Sequence, residues 1–398
     1  MHTKRSDVMN GARLLPYFIL PSASQSWLLF VGLTSHLHNI STHSLTRSLA
    51  HDLRPTMEDY KRWAKNDMGI SLLDDLHIRE LPGDERGIFC QQPVPANSVL
   101  ISIPFDSLLS SRSVRDSPLK KLADMDLRED DLLSVMLLHE VHENKEQSRW
   151  YHHLQLIPPT YHSIINYSAE ELELIKGTNL YQTAHAWQTQ VRGDFALLLL
   201  ELRRSELDLF SVEGEGGFLW FTYENYLWAL CTIWSRFVTV EMEEDAPASL
   251  PSTVLMFAPS PPKKTVVQRC MVPYFDMLNH NPTAQVSHYS DLKDKKLILY
   301  TAQSFSASDE LYLNYGAASN SRLLMLYGFV IAPTIESDGE VKKVVGNPHD
   351  SVDLYAPMQP GVNSYNTKSS ILSEWSVNHL SEPFKILPIT GTQTYSCW

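Results

Sequence analysis

Two phrases in the C-terminal third carry the residue types most able to do chemistry. VPYFDMLNHNP runs from Val272 to Pro282, and DELYLNYGAASN runs from Asp309 to Asn320, about thirty residues on. Together they bring an amide and an imidazole, Asn279 and His280, toward a strand-end phenol, Tyr315, that is followed by Gly316. Such groups offer directed hydrogen bonds rather than a metal cage. A metal reading through Asp276 and His280, four positions apart, needs a helix and a third ligand, and the sequence supplies no third ligand. Taken alone, Tyr315 reads as a buried strand aromatic with a bonded hydroxyl, and His280 as a core histidine satisfied by a neighbouring carbonyl.

The chain that must position these residues has 398 of them, enough for one large or two ordinary domains with a substantial core. Its hydrophobic share of 43% and charged share of 20% are those of a soluble globular protein. A net charge of -13 argues against a nucleic-acid-binding surface and is compatible with attraction of a basic peptide. The four cysteines, Cys90, Cys231, Cys270 and Cys397, form no C-x-x-C pair, so neither a zinc cluster nor a disulfide framework is indicated, which fits a reducing compartment.

Residues 1–56 differ in composition from the rest: few acids, several arginines, many Ser and His. Their two apolar runs, Leu14 to Leu20 and Trp27 to Leu33, fall short of the ~20 residues that span a bilayer. Three readings stand for this stretch: a disordered leader, an organelle transit peptide, or an extension upstream of a start at Met57.

Order begins with a short helical pattern from Met57, stopped by Gly69. Alternating apolar residues with Pro and Gly punctuation over His77 to Pro104 predict short strands joined by turns. From about Ser107 to Val238 the pattern is helical: Asp131 to Val141 is amphipathic, Ser168 with Glu171 forms a capping box, a third helix is predicted over about Thr183 to Leu207, and a fourth follows Thr222. Strands return at Ala284 to Tyr289 and Lys296 to Thr301 about a hairpin turn, then at DELYLNYG, and Ser319 caps a last helix ending at Gly328. Strands enclosing a helical insertion make an α+β fold rather than an alternating βαβ chain. No G-x-G-x-x-G or P-loop is present to suggest a nucleotide fold.

RGIF (Arg86 to Phe89), a strand ending SIP, the helical stretch, SRF (Ser235 to Phe237), DMLNH, ELYLNYG and LLMLYGF follow one another in that order. In this arrangement the chain resembles SET-domain protein methyltransferases of the Rubisco large-subunit methyltransferase-like group, over about Met57 to Pro360. The resemblance implies a SET domain at 57–331 of short β-sheets, split by a helical insert at about 107–238. It implies S-adenosyl-L-methionine as cofactor and a protein segment bearing a lysine as acceptor, with no direct role for nucleic acid or membrane. Cytoplasmic or nuclear location follows, with organelle import as the alternative through residues 1–56.

The site residues follow from the same resemblance. Tyr315 matches the family's catalytic tyrosine. Asn279 is implied to meet the cofactor's amino-acid end, and His280 to meet adenine largely through its backbone. Arg236 matches an arginine that approaches the cofactor carboxylate, where a fork of donors suits the anion; as a residue ending a helix it also reads as a dipole partner. Asp84 and Arg86 align with a loop whose backbone contacts the cofactor. Phe329 packs near adenine or simply ends a core helix. One branch of the group methylates a histidine of actin and carries asparagine two residues after this arginine; here the position is Val238, apolar as in the lysine enzymes.

The chain departs from the group at Cys90 and Ser308, away from the chemistry, and more seriously at its C-terminus. Asn347 to Gly361 resembles the opening of the substrate-binding domain, yet the chain ends at Trp398, so 332–398 reads as a truncated remnant of that domain. Two functions of different class are therefore expected: a protein-lysine N-methyltransferase, with histidine as the alternative target, or a catalytically silent SET-fold interaction module.

Overall fold

The computed structural model describes residues 55–82, 85–205, 207, 220–243, 265–337, 342–354, 384–388 and 395–397. Helix α1 (Met57–Asn66) starts where Thr56 accepts the Asp59 N–H at 3.1 Å, and Glu58 and Asp59 add negative charge at its positive end. Its inward face buries Tyr60, Trp63 and Ala64. Strand β1 (Ser71–Leu72) precedes the predicted stretch, and β2 (Leu76–Glu80), β3 (Arg86–Cys90) and β4 (Val99–Pro104) follow as the Pro and Gly punctuation predicts. β2 and β3 form an antiparallel pair with Leu76 opposite Cys90 and Glu80 opposite Arg86.

After β5 (Leu109–Ser110) and α2 (Ser111–Arg115) the helical insertion proper begins. α3 (Glu129–His139) is buried from Asp131 to His139 and runs into a π-helical turn, Glu140–Asn144. Short α4 (Tyr151–Leu154) follows, then α5 (Ala169–Leu174), opened by the Ser168–Glu171 capping box. α6 (Asn179–Arg204) begins one turn earlier than the apolar periodicity predicts. α7 (Tyr223–Arg236) starts at Thr222, whose hydroxyl accepts the Asn225 N–H. Its last residue is Arg236, so the helix delivers that side chain to the sheets.

β6 (Val238–Glu243) and β7 (Thr265–Met271) pair antiparallel, with β5 on the other side of β7. A 3-10 turn, Phe275–Met277, leads into β8 (Asn279–His280). β9 (Val286–Asp291), β10 (Lys296–Thr301) and β11 (Glu310–Leu313) complete the strands around the site, and α8 (Asn320–Tyr327) follows the Ser319 cap. Two four-stranded sheets result, ordered β1-β4-β10-β9 and β2-β3-β11-β8. Short strands β12 (Thr334–Ser337), β13 (Lys342–Val345), β14 (Val352–Leu354), β15 (Phe384–Pro388) and β16 (Tyr395–Cys397) form two further small sheets. Among the described residues no helix is long and apolar enough to cross a membrane.

One glycine closes the last helix against the insertion. Gly328 sits at φ 80°, in the left-handed region, and a Cβ there would lie 2.8 Å from the His162 carbonyl carbon and 2.9 Å from the Ser163 nitrogen. Strain and backbone overlap act together, so Gly328→Ala should lose roughly 2 kcal/mol or more of stability in urea unfolding. An unchanged midpoint and slope would refute this.

Candidate active site

The chain enters the site through a kink. Tyr274 is a non-glycine residue at φ 69°, almost wholly buried, and the turn it makes redirects β7 into the Phe275–Met277 turn. Two residues after that turn ends, β8 runs parallel to β11, with Asn279 opposite Tyr312 and His280 opposite Leu313.

Asn279 is held on both sides. Its Nδ2 donates to the Arg86 carbonyl at 2.9 Å and to Glu310 Oε1 at 2.7 Å. Both neighbours only accept, so they fix which end of the amide is nitrogen. The Asn279 carbonyl oxygen is left without a donor among the described residues. Glu310 in turn accepts the Tyr312 hydroxyl at 2.6 Å through Oε2. Burial first, and that bond next, hold the Tyr312 phenol up at about 12. The carboxylate fits because residue 87 is glycine: a Cβ there would collide with Glu310 Oε1.

His280 Nδ1 lies 3.1 Å from the Tyr315 N–H and 3.3 Å from the Leu313 carbonyl. The amide can only donate and the carbonyl only accept, so Nδ1 serves one of them; the shorter contact, from the Tyr315 N–H, makes Nδ1 the acceptor and puts the proton on Nε2. Burial lowers the His280 pKa below the ordinary imidazole value, which keeps the ring neutral. Its ring centre lies 4.9 Å from that of Tyr315 and 6.1 Å from that of Phe329. Tyr327 completes the aromatic group, 4.8 Å from Tyr315 and 6.1 Å from Phe329.

Tyr315 lies just past the end of β11 and is half-buried. Its hydroxyl donates to the Leu278 carbonyl at 2.7 Å, which leaves the oxygen's lone pairs for an incoming N–H. Burial, and then the neighbouring Tyr327, push its pKa far above the ordinary phenol value. Tyr315 is therefore a neutral hydrogen-bonding group and not a phenolate base.

Arg236 points at the same turn. Its Nη1 donates to the Asp276 carbonyl at 3.1 Å and approaches Asp276 Oδ2 at 3.4 Å, while the Tyr161 phenol lies beside it. Its Nε is buried with no partner among the described residues. Asp276 has no exposed side-chain surface; burial works to raise its pKa, but His153 and Arg236 overcome that and lower it.

The structure thus gathers Asn279, His280, Tyr315 and Phe329 around one turn, with the backbone of Arg86 against Asn279. The Arg86 guanidinium is directed elsewhere, onto the Leu156 carbonyl. Val238 opens β6 opposite Cys270 and packs on the core. Asp84 lies outside the described residues. Asp276 and His280 sit on a 3-10 turn and a strand, so helical spacing does not bring them together, and no group of metal-ligand residues occurs among the described residues. Sequence reasoning passed over Glu310 and Tyr327 as site residues and weighed Asp276 only as a metal ligand. Glu310 and Asp276 stood inside the phrases it singled out, and only the fold shows their carboxylates turned inward.

The histidine state is measurable. Because folding lowers the His280 pKa, its neutral form contributes stability in full above about pH 6.5, lost as pH falls through the lower folded value. Long-range ¹H–¹⁵N NMR at pH 7.5 should show the Nε2–H tautomer, titrating below 6.5. A ring that charges above 6.5 would contradict the bond from Tyr315.

Comparison with known proteins agrees with this geometry. The family model described as the SET domain matches residues 85–316, more than half of the chain. An actin-histidine N-methyltransferase of Drosophila melanogaster is 22% identical over 83% of this chain and 57% of its own length. The ribosomal lysine N-methyltransferase set10 of Schizosaccharomyces pombe is 22% identical over 75% of this chain and 47% of its own. The chain thus spans about half the length of these curated relatives. Among solved structures, the SET domain of LSMT bound to lysine and AdoHcy superposes with a TM-score of 0.60 at 17% identity, covering 86% of this chain and 69% of that one. The short sheets split by a helical insertion have the same fold, and with the match across 85–316 the chain belongs to the SET-domain family.

Proposed function

We propose that this chain is an S-adenosylmethionine-dependent protein methyltransferase whose acceptor is a lysine side chain. The observation that carries the reading is Tyr315: a phenol kept neutral, bonded to the Leu278 carbonyl, beside an asparagine amide clamped at its nitrogen end. The residues suit the cofactor's amino-acid end. The free Asn279 carbonyl oxygen is an acceptor for an ammonium, and the unpartnered Arg236 Nε is a donor for a carboxylate. His280 and Phe329 offer an apolar seat for a flat ring. When bound, S-adenosylmethionine supplies an electrophilic methyl group on a sulfonium.

What remains for the protein is to present a neutral nitrogen. A free lysine, with pKa about 10.4, is neutral about once in 2,500 at pH 7. The aromatic group of Tyr315, Tyr327, His280 and Phe329 excludes water, which favours the uncharged amine. The Tyr315 oxygen accepts one N–H of the amine and so aims its lone pair. Val238, apolar two residues after Arg236, supports lysine over an imidazole that needs a polar partner. Histidine is the second reading, supported by the name of the Drosophila relative.

Incubating the full chain with radiolabelled S-adenosylmethionine and cell lysate, then hydrolysing the product, tests both. Labelled methyllysine supports the proposal; methylhistidine alone transfers it to the second reading. Binding of S-adenosylhomocysteine without any transfer indicates a silent SET-fold module, and no binding removes the reading altogether. Tyr315→Phe should bind S-adenosylhomocysteine as tightly as wild type yet transfer about 100-fold more slowly. Equal rates would take Tyr315 out of its assigned role. Glu310→Ala should weaken that binding about tenfold, because the Asn279 amide then lacks one of the two acceptors that fix its orientation.

A further inference from the structure

Behind Arg236 lies a buried chain of hydrogen bonds that reaches out of the SET match into α1. Tyr60 has no exposed surface, and its oxygen accepts the Tyr274 N–H at 3.1 Å. The same oxygen is hydrogen-bonded to His153 Nδ1, 2.8 Å away. Asp276, held ionised, only accepts, so His153 Nε2 donates to its Oδ2 at 3.1 Å. Asp276 receives Arg236 through both its backbone carbonyl and Oδ2. The His153 and Asp276 side chains have no exposed surface at all.

The order of the links matters chemically. A buried carboxylate is costly to keep charged unless donors and an opposite charge hold it. Here the imidazole Nε2–H and the guanidinium Nη1 both reach Oδ2, while Oδ1 is buried without a hydrogen-bond partner among the described residues, and the ionised carboxylate fixes Nε2 as a protonated nitrogen. Arg236 has two faces as a result: Nη1 is tied to Asp276, and Nε is buried but unpartnered. The carboxylate acts as a bracket that sets the plane of the guanidinium.

We propose that Tyr60 and His153 are positioning residues for cofactor binding, holding Asp276 so that Arg236 presents its free donor to the cofactor's carboxylate. This rests on the function proposed above. Tyr60 lies on α1, N-terminal to the matched residues 85–316, so the working unit includes that helix.

Two ligands separate positioning from general damage. S-adenosylhomocysteine has the amino-acid end; 5′-deoxy-5′-methylthioadenosine keeps the adenosine and thioether but lacks it. Calorimetry on the full chain gives the affinity ratio for wild type, Arg236→Gln, His153→Leu, His153→Gln and Tyr60→Phe. Arg236→Gln and His153→Leu should weaken S-adenosylhomocysteine about tenfold or more and the thioadenosine less than about twofold. Tyr60→Phe should show the same selectivity at about threefold. His153→Gln, whose amide N–H takes the place of Nε2–H, should restore the ratio.

If Arg236→Gln lowers the ratio while His153→Leu and Tyr60→Phe leave it at the wild-type value, the positioning role is overturned and the site reading survives. If Arg236→Gln itself leaves the ratio unchanged, the reading of Arg236 fails, and this proposal with it. Wild type that binds neither ligand overturns both. Should His153→Leu not fold, the ratio in Tyr60→Phe decides alone.

Discussion

A parallel pairing only two residues long, between Asn279–His280 and Tyr312–Leu313, is the constraint on which the site depends. Parallel neighbours need a crossover connection, and here the β9–β10 hairpin is part of it. So short a pairing is weak, and the side chains lock it. Asn279 reaches from β8 to the β3 carbonyl of Arg86 and to Glu310 on β11, so one amide ties three strands. His280 takes the Tyr315 N–H, and Tyr315 returns its hydroxyl to Leu278. The ring of bonds closes on itself: moving any member loosens the others. The positive φ at Tyr274 is the cost of threading the chain there, and it is held by stacking on Tyr60 at 4.9 Å.

The helical insertion matters because it fixes where α7 ends. α3 and α7 pack together, with Arg128 bridging Asp131 and Asp194 while Tyr226 donates to Asp131 at 2.6 Å. Trp234 donates to Asp130, and the Arg269 N–H on β7 is accepted by Glu129 at 3.0 Å. The insertion is thereby pinned to the same strand that leads into the Asp276 turn. Arg236 at the end of α7 and Asp276 beyond the end of β7 meet because both elements are anchored to the first turn of α3. Their ion pair completes an arrangement already made by packing and contributes orientation more than stability.

Much of this was legible beforehand, for identifiable reasons. Periodicity located α1, and Ser168, Thr222 and Ser319, just before apolar repeats, located α5, α7 and α8. The α+β class followed from strands on both sides of a helical block, and the family from the order of motifs. The phrases around Asn279 and Tyr315 are close in sequence to what they do, so they could be read. Glu310 could not, because its inward turn depends on Gly87 on another strand. His153 could not either: it lies in a four-residue helix without periodicity, and its partners are 93 and 123 positions away. Tyr60 is a core position of α1, and nothing in that short helical pattern sets it apart from its neighbours.

On the proposed chemistry, the state of the titratable groups decides how the acceptor loses its proton. The Tyr315 phenol is held far above its ordinary pKa, first by burial, so it cannot serve as base at neutral pH. His280 Nδ1 is occupied by the Tyr315 N–H, and Glu310 accepts through both oxygens. Asp276 is held ionised by His153 and Arg236, and a lowered pKa makes a poor proton acceptor. The described residues around the phenol thus supply hydrogen bonds and an apolar wall, and no group poised to abstract a proton. An amine entering such a site sheds its proton to solvent before it docks, because the charged form loses its hydration and finds no free carboxylate in exchange. Selection of the neutral nitrogen then becomes a property of the entrance, and Tyr315 acts on what has already been admitted.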